Sequence, residues 1–250
     1  MPATPAWPPR SLPRLFVRMP LSDGASVELD ARQANYLGNV MRLGVGAELL
    51  VFDGRSGEWG ARIVEAGRKR MTLAVLRRTR EPEIMPDVWL AFAPVKRSQT
   101  DWLVEKATEL GAARLVPVIT QRTVAERVKL ERLEAIVTEA AEQCGRTQLP
   151  EIAEPVSLKH LLAERDAARR LYFADEGGGE PPATAFNPGP ALLLTGPEGG
   201  FTDEERALVR ATGNSVAISL GPRILRAETA ALAALASYMA IAGDWRFIDS

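Results

Sequence analysis

Cysteine and histidine are almost absent from this sequence: Cys144 and His160 are the only ones among 250 residues. An intrachain disulfide is excluded, and no zinc site of histidine and thiolate ligands can be built within one chain. The carboxylates offer no acidic loop with metal-ligand spacing, so no metal is expected. Long apolar runs are missing as well. The longest, within residues 230–242, is too short and too alanine-rich to cross a bilayer. The first 13 residues, rich in Pro and Ala, lack the apolar stretch of a signal peptide. The expectation is a soluble, cytoplasmic protein without a membrane partner. An excess of one charge is also lacking, with a net charge of −1, which argues against a chain coated in phosphate-binding residues. The distribution is uneven, however. Residues 1–86 hold 13 Lys and Arg against 9 Asp and Glu, whereas residues 87–250 hold 18 against 23. A basic N-terminal third hints at a polyanion partner, although an ordinary solvated surface explains charge alone equally well.

What is present falls into two patterns. After a tail at 1–13, residues 14–77 offer short strands at 14–18, 47–52, 59–65 and 71–75, broken by Asp53-Gly54, Ser56-Gly57 and Gly67-Arg68. A helix over 30–42 starts from Asp30 as its N-cap. Short strands joined by glycine turns predict a small β-barrel. Residues 78–87 combine charges with Pro82 and Pro86 and read as a linker. From residue 88, strands at 88–95, 114–119, 170–174, 191–195 and 216–220 alternate with helices at 100–110, 130–144, 203–211 and 228–241. That order predicts an α/β domain with a largely parallel sheet. Gly111 and Gly145 stand where helices end, and residues 177–182 (GGGEPP) read as a flexible surface loop.

Two motifs carry the chemistry. Leu194-Thr195-Gly196-Pro197-Glu198-Gly199-Gly200 leads from an apolar strand into a glycine turn, and Thr202 with Glu205 forms a capping box for the next helix. Ligands of open α/β sheets sit at such carboxyl ends. Glycine lets the backbone approach a ligand without a Cβ between them. No GK[ST] follows and Glu198 would repel phosphate, so the loop suits a neutral or zwitterionic ligand such as adenosine joined to an amino acid. The second motif, Leu220-Gly221-Pro222-Arg223-Ile224-Leu225-Arg226, again joins a strand to a helix and sets two arginines around an apolar pair. The two loops together predict one pocket. Lys96 and Arg97, at the end of another strand, are candidates for contact with RNA phosphate, as are Arg68, Lys69 and Arg70 in the barrel.

Taken together, KATELG at 106–111, EQCGR at 142–146, LTGPEGGFTDEE at 194–205 and LGPRILRAETAAL at 220–232 resemble the RsmE family, the 16S rRNA uracil-N3 methyltransferases of the SPOUT superfamily. NVMRLGVG at 39–46 fits that family's PUA-like barrel. The likeness spans about residues 14–245, with Cys144 where the family has Ser. It implies a knotted methyltransferase domain with a parallel sheet, a homodimer, and S-adenosylmethionine as cofactor. By position, Leu194, Gly196, Gly199, Gly200, Leu220, Gly221, Ile224, Leu225 and Arg226 would contact it. The substrate implied is small-subunit 16S ribosomal RNA. Arg226, then Arg223, would stabilise charge on the uracil, and Glu198 or Glu228 would take its proton. The alternatives are a SPOUT enzyme acting on transfer RNA, at ribose or base, and a non-catalytic RNA-binding protein.

Overall fold

A computed structural model describes residues 12–67, 70–124 and 128–246. By its contacts the chain divides into two units. One comprises the described residues up to Ile84 together with Ala141–Leu149, the other Met85–Ala140 together with the residues from Pro150 onward.

The first unit contains β1 (Arg14–Phe16), β2 (Ser26–Leu29), α1 (Ala31–Asn35), β3 (Glu48–Phe52), β4 (Glu58–Ala66) and β5 (Met71–Arg80). Its sheet runs β1-β3-β4-β5-β2, with β1 parallel to β3 and the other pairs antiparallel. Alternation along the strands sets one face inward. Leu49 and Val51, Ala61 and Ile63, and Leu73 and Val75 are buried in one cluster with Leu15 and Val27. Register breaks along β4 and β5 bend this ribbon, as bulges do. The expected helix at 30–42 is shorter than its pattern. Asp30 does cap it, in a capping box with Gln33, but the α-helix ends at Asn35 and a single π-turn, Tyr36–Val40, follows. That wider turn keeps Leu37 fully buried while Tyr36 and Val40 stay exposed.

β5 runs through Arg80, three residues into the expected linker, because Arg80 bonds Glu58 across the pair at 3.1 Å. Glu58 also receives Arg14 Nε at 2.7 Å, and both side chains are almost wholly buried. The Arg14 guanidinium donates further to the carbonyls of Ala141 (2.6 Å), Glu142 (2.9 Å) and Arg146 (2.7 Å). These include carbonyls at the end of a helix, which lack intrahelical partners and carry partial negative charge. Burial alone would raise the Glu58 pKa, but hydrogen bonds from Arg14 and Arg80 outweigh it and hold the carboxyl below its ordinary value.

The second unit follows the order β6 (Val88–Phe92), α2 (Arg97–Glu109), β7 (Arg114–Ile119), α3 (Leu130–Cys144), β8 (Glu151–Ile152), β9 (Val156–Ser157), α4 (Leu158–Glu164), β10 (Arg170–Ala174), α5 (Pro182–Ala185), β11 (Ala191–Thr195), α6 (Asp203–Ala211), β12 (Ser215–Ile218) and α7 (Ala227–Ile241). The last four residues of α3 belong by contact to the first unit. The sheet runs β12-β10-β11-β6-β7-β8 with β9 beside β7, and every pair is parallel. Parallel strands covered on both faces read as continuous apolar runs, and all five residues of β11 are buried. α7 packs on β11, β6, α2 and α5. Among the described residues, no helix is long and apolar enough to cross a membrane, and no group of three or more His, Cys, Asp or Glu is placed to hold a metal ion.

Candidate functional site

Three loops leave the carboxyl ends of β10, β11 and β12, adjacent in the sheet as β12-β10-β11. Together they wall an open cleft of about 180 Å³. From the β11 loop come Gly196, Pro197, Glu198 and Gly200; from the β12 loop come Leu220, Gly221, Arg223, Ile224 and Leu225. The expectation that these two motifs meet in one pocket is met in space.

The third loop was not foreseen. Asp175 and Glu176 line the cleft, and residues 177–182 are not the free surface loop that their glycines suggested. Glu180 N donates to Ala217 O at 2.8 Å and Ser219 N to Glu180 O at 3.0 Å, which ties this loop to β12. A Cβ at Gly179 would sit 2.4 Å from the Ala217 backbone, so only glycine permits the approach. Asp175, with its side chain 1% exposed, accepts from Arg210 at 2.6 Å and from Gly177 N at 2.9 Å. Glu176 pairs with Arg206 at 3.0 Å. Gly200 has φ +66°, and a Cβ there would meet the Glu176 carboxylate at 2.8 Å.

A residue from far along the chain also holds the glycine turn. Arg122, in the loop after β7, donates to Gly199 O at 2.7 Å. Gln121 N donates to Glu205 Oε1 at 2.8 Å, while Glu205 and Thr202 complete the capping box that starts α6.

Not every expected residue lines the cleft. The Leu194 side chain belongs to the hydrophobic core. Gly199 faces the Arg122 side chain instead. Arg226 is the exposed N-cap residue of α7 and is not part of the wall, whereas Arg223 is. Glu228 is buried on the first turn of α7 with Oε2 unpartnered, and it too lies outside the wall. In the first unit, Arg70 is exposed at the β4–β5 turn, and Arg68 and Lys69 lie outside the described residues. Lys96 and Arg97 are exposed at the start of α2.

The lining suits a ligand with an apolar body and polar edges. Leu220, Ile218, Leu225, Ala227 and Ala230 supply apolar surface, Thr195 and Ser219 hydroxyls, and Glu176 and Glu198 carboxylates beside the guanidiniums of Arg206 and Arg223. An adenosine carrying an amino acid fits these residues.

An open parallel α/β sheet whose carboxyl edge carries a glycine-walled cleft defines a small-molecule-binding α/β protein. Residues 82–239 match the RNA methyltransferase domain model and residues 29–76 the RNA methyltransferase PUA domain model. The chain belongs to the RNA methyltransferase family that its motifs resemble. Ribosomal RNA small subunit methyltransferase E of Rickettsia conorii is 30% identical, over 89% of this chain and 93% of that protein. The Synechocystis protein of the same name is 37% identical, over 87% of this chain and 74% of that protein. Among solved structures, a Legionella pneumophila chain in complex with the bound cofactor SAM superposes with TM-score 0.85 at 30% identity, covering 94% of this chain and 99% of that one. The ribosomal RNA small subunit methyltransferase E of Neisseria gonorrhoeae, bound to S-adenosyl methionine, also gives TM-score 0.85, at 28% identity over 94% and 100%.

Proposed function

We propose that this chain is an S-adenosylmethionine-dependent methyltransferase that modifies N3 of a uridine in the 16S ribosomal RNA of the small subunit. The observation that carries the reading is the cleft: three loops on the carboxyl edge of a parallel sheet, in a chain whose relatives are small-subunit methyltransferases and two of whose structural neighbours were solved with that cofactor. Gly196, Gly200, Leu220, Gly221, Ile224 and Leu225 would hold the cofactor, with backbone groups at its edges and apolar side chains on its faces. When bound, it supplies an electrophilic methyl group.

The chain's own residues orient the uracil and handle its proton. Uracil N3 carries a hydrogen that must leave for the nitrogen to attack the methyl group; its loss puts negative charge on the flanking carbonyl oxygens, and methyl transfer then discharges it. A guanidinium at the mouth stabilises that charge. Because Arg223 lines the cleft and Arg226 caps α7 outside it, we give this role to Arg223 ahead of Arg226, reversing the order that the resemblance suggested. The proton goes to Glu198, an exposed carboxylate in the same wall. A small-subunit RNA substrate places the reaction in the cytoplasm.

We further propose the homodimer and the knot. Ile224 is 92% exposed on the cleft wall, an apolar residue suited to cover by a second copy. On α7 the chain itself buries Leu235, Tyr238 and Met239, leaving half-buried Leu232, Ala233 and Ala236 for a partner. The knot is supported by the path from β12, at the sheet edge, back to α7 packed on β11 and β6. Light scattering at micromolar concentration tests the dimer, and a monomer would remove it.

The chemical reading is tested by single-turnover methylation of unmethylated small subunits beside calorimetric cofactor binding. Arg223→Ala should slow methylation about ten- to a thousand-fold, the order of one lost oxyanion donor. Its cofactor affinity should change less than about five-fold, or ~1 kcal/mol. Arg226→Ala should have the smaller effect. Equal loss of affinity and rate would assign Arg223 to cofactor binding.

A further inference from the structure

A second, smaller cavity of about 100 Å³, open to solvent, lies in the same unit at the end of β6 and the start of α2. Its position is set by the sheet. Phe92 of β6 registers against Thr195 of β11, and Ala93 N donates to Thr195 O at 3.1 Å. The β11 chain then turns into the cofactor loop at Gly196, while the β6 chain runs on into Pro94 and Val95, which line the second cavity. The two openings therefore begin on neighbouring strands, about 4.8 Å apart in a sheet.

The lining is of mixed chemistry. Val95, Val128 and Leu133 make an apolar wall, and Arg97, Lys129 and Arg132 bring three cations against one carboxylate, Asp101. Asp101 is already engaged: Arg132 grips it through Nε at 2.8 Å and through a second guanidinium nitrogen. The side chains of Arg97 and Lys129 have no hydrogen-bond or ion-pair partner among the described residues, and both residues are exposed. An apolar wall beside uncommitted cations fits an anion with a flat, weakly polar body. A nucleotide is such a body, and it is the repeating unit of the proposed substrate.

We propose that this second cavity receives the nucleotide adjoining the target uridine, its phosphate on Arg97 and Lys129 and its base against the apolar wall. The inference rests on the reading of the chain as an RNA methyltransferase of the small subunit, and it adds a place where the RNA is held beside the reacting base. Holding the neighbour fixes where along the strand the target enters the cleft, so the cavity is a registration site.

The test uses the full chain and small subunits lacking the modification. R97E/K129E should raise the apparent KM for subunits at least ten-fold and make the salt dependence shallower, by about 1.4 in the log–log slope for two single-strand phosphate contacts. Cofactor affinity by calorimetry should stay within two-fold, which also reports that the variant is folded. Ribosomal RNA carrying 5-iodouridine should photocross-link to peptides containing residues 94–101 or 128–133. A wild-type KM for R97E/K129E, or cross-links confined to other peptides, overturns the inference and leaves the methyltransferase reading standing. A wild-type protein that transfers no methyl group to small-subunit RNA overturns both.

Discussion

The two units solve opposite problems with the same kinds of residue. In the first, the buried charges Arg14 and Glu58 satisfy each other, and Arg14 also satisfies carbonyls at a helix end, so the assembly has no ligand to wait for. In the second, polar groups at the sheet's carboxyl edge surround a cleft, and Gly179 brings backbone against backbone beside it. Buried polarity in the first unit fixes structure, whereas polarity at the edge of the second is left available for chemistry. Substitutions should therefore separate stability from binding.

The sharpest break is Arg14→Ala. Removing one partner of a buried pair strands the other, a loss of about 3–5 kcal/mol, and here it also strands the carbonyls of Ala141 and Arg146. Hydrogen exchange should show deprotection across β1, β3 and β4 while cofactor affinity of the surviving folded protein holds. Equal loss in both units would end the contrast. Gly179→Ala comes next. Overpacking typically costs about 1–3 kcal/mol, and the clash with Ala217 should displace the β10 loop. Cofactor affinity should fall with little change in the exchange of β3 and β4.

Acid should then act on the first unit. The folded Glu58 pKa lies below its ordinary 4.5. Its contribution is therefore fully present above 4.5 and is lost as pH falls through the folded value. Glu58→Gln should flatten that acid limb in a denaturation series; an unchanged limb would assign acid sensitivity elsewhere. The smallest effect concerns the basic run at 68–70. Reversing Arg68, Lys69 and Arg70 to Glu should weaken RNA binding and reduce its salt slope by about 0.7 per lost contact, with stability and cofactor affinity unchanged. Unaltered RNA affinity would make the run a solvated turn.

Most of the parallel sheet was legible because its strands are apolar along their whole length. Strands at 114–119, 170–174 and 191–195 and helices at 130–144 and 203–211 lie where periodicity puts them. Elements of two to four residues, such as β8, β9 and α5, have too little pattern of their own and exist through their neighbours. At the site, the two glycine motifs were legible and the third wall was not. The signal was present, since β10 also ends in Asp-Glu-Gly, but a run of three glycines reads as slack until Ala217 is seen against it. Arg122 could not have been found, because nothing local tells a side chain that its acceptor lies 77 residues away.

The grip of Arg14 on Ala141, Glu142 and Arg146 has a consequence in time. The strands of the first unit leave the ribosome by Ile84, but the carbonyls that complete the buried charge cluster reside in Ala141–Leu149. At about 5–20 residues per second, the intervening synthesis of roughly 65 residues lasts some 3–13 s. For that interval Arg14 and Glu58 have each other but not the helix end. A nascent chain stalled so that β5 but not Ala141 has emerged should be cut readily by protease within β1–β5, and one stalled so that Leu149 has emerged should resist.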